Sequence, residues 1–209
     1  RGWRFSWKAA RPSAWSAVAT DILAQKYFRK AGVPQVGQDG KPILDRDGRP
    51  VLGGEREMYV YTPPNYDRTR RYPVLYLLGG SGELASTWNI DGRAGFIADN
   101  LIAEGKALPM IIAMPNNQVL HRSDPRHTEL TFPLFEKELR QHIIPVVEKA
   151  YSTQPGPRGR AIAGLSMGGR HAQLVGFKSL DLFRSFGILS AGDPESEKST
   201  PEFLNDPAI

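Results

Sequence analysis

A serine flanked by glycines is the residue of this sequence best placed to do covalent chemistry. Ser166 lies in the pentapeptide Gly164-Leu165-Ser166-Met167-Gly168, between a short apolar run and a helical pattern. Glycines two positions before and after it allow a tight strand-to-helix turn, which exposes the serine oxygen beside the helix N-terminus. An ordinary glycine-rich turn at a strand end has the same pattern. We interpret Ser166 as a nucleophile that forms a covalent acyl intermediate.

A second glycine-rich segment follows the most apolar predicted strand. It runs from Leu77 to Trp88 with the sequence LLGGSGELASTW, and alone it would be an ordinary strand-to-helix turn. Acyl transfer through a serine needs hydrogen-bond donors for the oxyanion that forms in the transition state. We predict that the backbone N–H groups of Ser81 and Met167 are these donors, and that Gly80 permits the close approach.

The elements that must position these residues alternate between strands and helices from residue 55 onward. Strands are predicted at Glu57–Thr62, Pro73–Leu78, Pro109–Met114, Arg160–Ala163 and Ser185–Ser190. Helices are predicted at Phe96–Glu104, Leu134–Tyr151 and His171–Ser179, with a kink at Pro145 in the longest. This alternation predicts an α/β fold with a doubly wound, mostly parallel sheet.

The composition excludes several classes of site. The chain has 209 residues and no cysteine, which excludes a disulfide scaffold, a cysteine-ligated metal and a thiol nucleophile. The net charge of +5 is concentrated in residues 1–50, which hold 10 Lys and Arg against 4 Asp and Glu. The remaining residues hold 17 against 18, so we expect no nucleic-acid partner. No apolar run approaches the ~20 residues of a membrane span, and we expect no membrane partner.

The N-terminal quarter of the chain has its own pattern. Residues 13–34 predict one amphipathic helix that ends at Gly32 and Pro34. An Asp-Gly-basic-Pro-apolar-Leu unit then begins at Asp39 and again at Asp47, which predicts a turn-rich linker. We therefore divide the chain into an N-terminal helical segment (1–36), a linker (37–54) and a main domain (55–209).

Residues 55–192 resemble the feruloyl-esterase and esterase D branch of the α/β-hydrolases, a carbohydrate-esterase family. The matching stretches, in order, are EMYVYTPPNYD, YPVLYLLGGSG with Trp88, GRAGFIADNLIAEGKALPMIIAMPN, FEKELRQHIIPVVEKAY, AIAGLSMGGRHA and FRSFGILSAG. The resemblance implies an α/β-hydrolase fold with Ser166 as nucleophile and with donors at Ser81 and Met167. Gly79 departs from the family pattern, which usually has His at this position.

The same resemblance implies a function. It implies a carboxylic-ester hydrolase that acts on an acyl or hydroxycinnamoyl ester, either small or linked to a polysaccharide. No metal and no cofactor is needed for that chemistry.

The histidine and acid that such a serine needs are not evident. In this family both follow the strand that ends at Ala191, whereas only 17 residues, none of them His, follow Gly192. We expect His171 to point into packing or solvent and His142 to lie at the surface or at an interface. The other two histidines belong, with Asp124, to a polar loop that borders the cleft: His121 and His127.

We therefore expect a hydrolase domain that lacks its C-terminal strands and turns over weakly. A sheet that ends early exposes an unpaired edge, through which we expect self-association. The alternative is a catalytically inactive fusion or fragment.

Residues 12–34 resemble a different family. The stretch WSAVATDILAQKYFRKAGVP is similar to the N-terminal region of adenosylcobalamin-dependent ribonucleotide reductases. Reductase activity is excluded for this chain, because that chemistry needs cysteines. The two resemblances imply different compartments, with export expected from the esterase and the cytoplasm expected from the reductase-like segment.

Overall fold

Six strands form one mixed sheet in the order β1-β2-β4-β3-β5-β6. The computed structural model describes residues 23–28, 46, 48, 55–120, 123–193 and 195–205. The strands are β1 (Leu23–Phe28), β2 (Glu55–Tyr61), β3 (Val74–Leu78), β4 (Ile111–Pro115), β5 (Arg160–Leu165) and β6 (Ser185–Leu189). β3 to β6 pair in parallel, and β2 is antiparallel to both β1 and β4. The predicted α/β fold with a mostly parallel sheet is confirmed.

Helices cover both faces of this sheet. They are α1 (Thr87–Ile90), α2 (Ala94–Ala103), α3 (His127–Glu138), α4 (Ile144–Ala150), α5 (Met167–Lys178), α6 (Ser196–Ser199) and α7 (Pro201–Leu204). A π-helical turn at Leu139–Ile143 joins α3 to α4 and ends just before Pro145, which has no N–H to give to the preceding turn. None of the helices in the described ranges combines the length and apolarity that a bilayer crossing requires.

Two apolar layers separate the sheet from its helices. Tyr76 and Leu78 of β3 point into the layer beneath α3, α4 and α5, and Leu77 points into the layer beneath α2. This alternation is the period-two geometry of a strand that is buried on both faces. The sheet is therefore a rigid central layer whose strand ends hold the loops.

The helix that we predicted over residues 13–34 is wrong at residues 23–28. These residues form β1, in which Leu23 lies opposite Val60 and Phe28 lies opposite Glu55. The unpaired backbone of β2 offers a ladder of hydrogen bonds, and such tertiary pairing overrides a weak helical preference. The rest of the predicted helix and nearly all of the predicted linker lie outside the described residues.

The strand order places a crevice between β3 and β5. The chain moves from β3 to β4 on one side, and then crosses to β5 and β6 on the other. In sheets of this kind, the loops after the two strands that flank such a reversal diverge and leave room for a ligand. Ser81 follows β3 and Ser166 follows β5, so the topology brings the two predicted site segments together.

Candidate active site

Ser166 lies on a sharp turn between β5 and α5. Its backbone has a φ of 54° and a ψ of −117°, a conformation that costs a non-glycine residue on the order of 1–3 kcal/mol. Two hydrogen bonds hold it there: Ser166 N–H donates to the Leu189 carbonyl at 2.9 Å, and the Ser166 carbonyl accepts from Arg170 N–H at 3.0 Å. The turn leaves Ser166 exposed at the carboxyl edge of the sheet.

The glycines on either side of Ser166 are required by close backbone contacts. A Cβ on Gly164 would overlap the backbone of Gly168. A Cβ on Gly168 would overlap the Leu78 carbonyl oxygen and lie 2.6 Å from the Gly79 carbonyl oxygen. The turn that carries Ser166 therefore packs directly against the end of β3, with no side chain between them.

Ser166 and Ser81 line one open cavity of about 510 Å³. Its walls come from the start of α3, the start of α5 and the loop after β6. The lining includes the apolar side chains of Phe132 and Met167 and the basic side chain of Arg170, and among the described residues no carboxylate lines it. The cavity is of the size that small-molecule sites have, which is about 300–1,000 Å³.

The two predicted donors have amides that can face this cavity. Met167 is the first residue of α5, and the first N–H groups of a helix have no acceptor within the helix. No described group accepts the Ser81 N–H. Gly80 cannot act as a donor, because its N–H already donates to Glu83 Oε2 at 2.6 Å. Its small size admits that carboxylate, since a Cβ on Gly80 would lie 3.3 Å from the Glu83 carboxyl carbon.

Side chains from elsewhere hold the loop that carries Ser81. Three successive carbonyls each accept an N–H at 2.9 Å: Leu78 from Trp88 Nε1, Gly79 from Asn117 Nδ2 and Gly80 from Gln118 Nε2. Our sequence analysis did not single out Asn117 or Gln118. The signal available was their position, because they belong to a run of three polar residues, 116–118, directly after the buried strand β4, which lies beside β3.

At Gly79, where this chain departs from the family pattern, a neighbouring carboxylate leaves little room for a side chain. A Cβ there would lie 2.9 Å from Glu83 Oε2. The carboxylate of Glu83 therefore occupies the space that a larger residue would need, and it supplies a local anchor through Gly80.

His171 points into packing, as predicted. The ring is fully buried, with its centroid 4.6 Å from that of Phe132 and 4.9 Å from that of Phe135. Burial lowers the pKa of His171 to about 4, and hydrogen bonds to the backbone of Met167 and Thr131 offset this only in part. Nδ1 lies 2.9 Å from the Met167 carbonyl oxygen, so this imidazole supports the start of α5.

The other histidines differ from our predictions in part. His142 is buried within the chain, with 8% of its surface exposed, so the predicted surface or interface position is wrong. The π-helical turn that contains it changes which residues face the sheet. His127 lines the cavity, as expected of a residue that borders the cleft, whereas His121 lies outside the described residues.

The carboxylates that flank the site segments in the sequence have local partners. Asp124 binds the Arg126 guanidinium at 2.8 and 3.0 Å, and these hydrogen bonds hold its pKa below the usual range. Asp181 binds Arg140 at 2.6 and 3.0 Å, and Asp193 accepts the Glu195 N–H at 3.0 Å. In the described part of the chain, no group of three or more His, Cys, Asp or Glu side chains could hold a metal ion.

Two family models match different parts of the chain. The model of a class II vitamin B12-dependent ribonucleotide reductase matches residues 6–61, and a model described as "Putative esterase" matches residues 50–202. The first match confirms the N-terminal resemblance. The two ranges overlap over β2, the strand that pairs with β1.

Related proteins and a related structure resemble the esterase part. An endo-1,4-β-xylanase/feruloyl esterase of Xylanibacter ruminicola is 37% identical over 153 residues, which is 71% of this chain and 20% of that protein. The endo-1,4-β-xylanase Y of Acetivibrio thermocellus is 31% identical over 150 residues, 66% of this chain and 13% of that protein. The structure of a ferulic acid esterase from Anaeromyces mucronatus superposes with a TM-score of 0.62 at 25% identity, covering 86% of this chain and 60% of that one.

The chain thus spans a fifth or less of the length of these two relatives. The esterase model nevertheless matches most of the chain, and it includes both β3 with the Ser81 loop and β5 with the Ser166 turn. The solved structure supports the same α/β-hydrolase architecture. The chain therefore belongs to this esterase family and has its α/β-hydrolase fold.

Proposed function

We propose that this chain is a serine carboxylic-ester hydrolase that forms an acyl-enzyme on Ser166. The observation that carries the proposal is the strained turn that exposes Ser166 in the same cavity as Ser81, beside the first amide of α5. A nucleophile and two convergent backbone donors are what acyl transfer requires.

The reaction has two halves. The Ser166 oxygen attacks the ester carbonyl carbon while a general base takes its proton, and the amides of Ser81 and Met167 stabilise the resulting oxyanion. The C–O bond to the alcohol then breaks, and the base returns the proton to the leaving oxygen. Water attacks the acyl-enzyme in the same way, which releases the acid and restores the serine hydroxyl.

We propose that deprotonation of Ser166 limits the rate at which this chain reacts with esters. Among the described residues no imidazole is hydrogen-bonded to the Ser166 oxygen. The His171 ring is hydrogen-bonded at the start of α5. His127 lines the cavity near Asp124, but the carboxylate of Asp124 is hydrogen-bonded to Arg126. A serine at its ordinary pKa is a weak nucleophile. We therefore propose that the 209-residue chain acylates and deacylates slowly.

The substrate class is a hydroxycinnamoyl or similar acyl ester, either small or attached to a polysaccharide. Two observations support this class. The relative from Xylanibacter ruminicola is named a feruloyl esterase and the related structure from Anaeromyces mucronatus contains ferulic acid. In this chain, Phe132 and Met167 give the cavity an apolar wall that suits an aromatic acyl group.

The test is acylation of Ser166 rather than turnover alone. We expect p-nitrophenyl acetate to release p-nitrophenol and to add one acetyl group to the Ser166 peptide, as measured by mass spectrometry. Ser166→Ala should abolish both signals. Ser86→Ala is the matched control and should keep them, because the Ser86 side chain makes no capping hydrogen bond. Acetylation that persists in Ser166→Ala would contradict the proposal.

A second candidate is a catalytically inactive product in which a reductase-like segment is joined to the esterase part. The matches of two different family models to successive, partly overlapping parts of the chain favour it. Ester hydrolysis that depends on Ser166 would contradict this candidate, whereas a chain that neither binds nor reacts with p-nitrophenyl acetate would support it.

A further inference from the structure

One side chain binds the backbone on both sides of Ser81. Gln118 Nε2 donates to the Gly80 carbonyl at 2.9 Å, and Gln118 Oε1 accepts the Gly82 N–H at 3.2 Å. In a β-ladder, a strand binds its neighbour in the same way, through the carbonyl before one residue and the N–H after it. The carboxamide of Gln118 therefore imitates a neighbouring strand at a point where the loop has none.

The planar peptide bond converts this contact into control of the Ser81 N–H. The Gly80 carbonyl and the Ser81 N–H belong to one peptide unit, and in a trans peptide these two groups point in opposite directions. The described residues contain no cis peptide bond. While Gln118 holds the Gly80 carbonyl, the Ser81 N–H must point away from Gln118. Ser81 lines the cavity, whereas Gln118 does not.

Gln118 is itself held in place. Its N–H donates to Asn116 Oδ1 at 2.8 Å, and its carbonyl accepts from Arg56 Nη1 at 2.7 Å. Arg56 Nε in turn binds the fully buried carboxylate of Glu138 at 3.1 Å. The backbone from which the carboxamide extends is thus anchored to the core of the protein.

We infer that Gln118 is a positioning residue for the proposed ester hydrolysis: its carboxamide fixes the peptide between Gly80 and Ser81 so that the Ser81 N–H faces the oxyanion. This inference rests on the proposed function and adds a residue to it. Gln118 does not line the cavity, so it acts on the reaction only through the loop.

The variant that tests this role is Gln118→Glu. The new side chain has the same shape and can still accept the Gly82 N–H, but it replaces the donor to the Gly80 carbonyl with an oxygen. Repulsion between the new carboxylate and the Gly80 carbonyl oxygen favours a flip of the peptide between Gly80 and Ser81. In the flipped peptide, the Ser81 N–H binds the new carboxylate. We expect the acylation rate with p-nitrophenyl acetate to fall about 100-fold, because loss of one oxyanion donor costs about 10²–10³. KM should change little, because the ground-state contacts remain.

The pH profile separates positioning from a merely structural role. In Gln118→Glu, protonation of the introduced carboxylate restores a donor for the Gly80 carbonyl. The ratio of the variant rate to the wild-type rate should therefore rise as the pH falls from about 8 to about 5. Gln118→Ala has no such group, and its ratio should stay constant. Gln118→Ala also serves as the test if Gln118→Glu fails to fold, since it too should lower kcat more than it changes KM.

Gln173→Glu is the matched control. The Oε1 atom of Gln173 accepts the Asp193 N–H at 2.9 Å, and a carboxylate can accept the same hydrogen bond. We expect this variant to acylate at close to the wild-type rate. A Gln118→Glu protein that also acylates at the wild-type rate would overturn the inference but leave the proposed function intact. A wild-type chain that does not react at Ser166 would overturn both.

Discussion

The turn that carries Ser166 and the loop that carries Ser81 face the same cavity but are held in different ways. The Ser166 turn is fixed by its own backbone, because Gly164 and Gly168 contact each other and the end of β3 directly. The Ser81 loop is fixed by side chains that reach it from Trp88, Asn117 and Gln118. Steric fixation tolerates almost no substitution, whereas each hydrogen bond can be removed alone. The comparison therefore predicts that substitutions in the Ser166 turn abolish function, whereas removal of single hydrogen bonds to the Ser81 loop reduces function by degrees.

The steepest loss is expected at Gly168. In Gly168→Ala, the new Cβ would overlap the Leu78 carbonyl oxygen, so either the turn or β3 must move. We expect a destabilisation of about 3 kcal/mol or more and no acylation of Ser166. Thermal unfolding and the acetylation assay measure the two effects. Gly192→Ala is the control for stability, because a Cβ there meets nothing within 4 Å. Similar melting temperatures for the two variants would refute steric fixation.

His171 couples the two regions, and its effect depends on pH. Nδ1 lies 2.9 Å from the Met167 carbonyl oxygen and 3.5 Å from Asn117 Nδ2, the group that holds the Gly79 carbonyl. Its pKa is lowered from 6.5 to about 4 by burial, so between these values the unfolded chain binds more protons than the folded one. The resulting stability is complete above pH 6.5 and is lost as the pH falls towards and through 4.

The lowered pKa of His171 sets the size of its contribution to the free energy of unfolding. At about 1.4 kcal/mol per pKa unit, the group contributes on the order of 3 kcal/mol at neutral pH. Urea unfolding of the wild type should therefore show a decline in stability from about pH 7 to about pH 4, and His171→Phe should show a smaller decline. An equal pH dependence in both proteins would mean that other groups cause it.

Removal of one anchor of the Ser81 loop should have a smaller effect. Asn117→Ala leaves the buried Gly79 carbonyl without its donor, which costs about 1–3 kcal/mol. We expect acylation to slow but not to stop, because Trp88 and Gln118 still hold the neighbouring carbonyls. The measurement is the pre-steady-state release of p-nitrophenol. Complete loss of acylation in a folded Asn117→Ala protein would show that the loop is as intolerant as the Ser166 turn.

The smallest effect is expected at the outer edge of β6, on the side of that strand away from β5. β6 is the last strand in the described sheet order, and Leu189 on it is 46% exposed. We propose weak self-association along this edge, since unpaired strand backbones pair readily. Sedimentation velocity should show an average mass that rises with concentration, and Ile188→Pro, which removes a ladder donor, should reduce the rise. A strict monomer at all concentrations would exclude it.

The difference between local backbone contacts at Ser166 and distant side-chain contacts at the Ser81 loop explains which features the sequence could predict. The Ser166 turn was predictable because its determinants lie within five consecutive residues that follow an apolar strand. The anchors Asn117 and Gln118 were not predicted, because their role depends on β4 lying beside β3, and they are nearly forty residues from the loop that they hold. β1 was missed for a similar reason, since its partner β2 is distant in the chain. His142 was misplaced because a π-helical turn is not visible in a helical pattern.

The pairing of β1 with β2 has a practical consequence for anyone who shortens this protein. Residue 55 begins the strand to which β1 is bound, so trimming the chain at that point would strip a six-residue neighbour from it. We expect the shortened chain to be less soluble, because β2 would then have an unpaired edge. Precipitation of that chain would not show whether the site in the cavity is active. Proteolysis that cuts between residues 29 and 54 would be a gentler separation, because the released peptide could remain attached through its backbone.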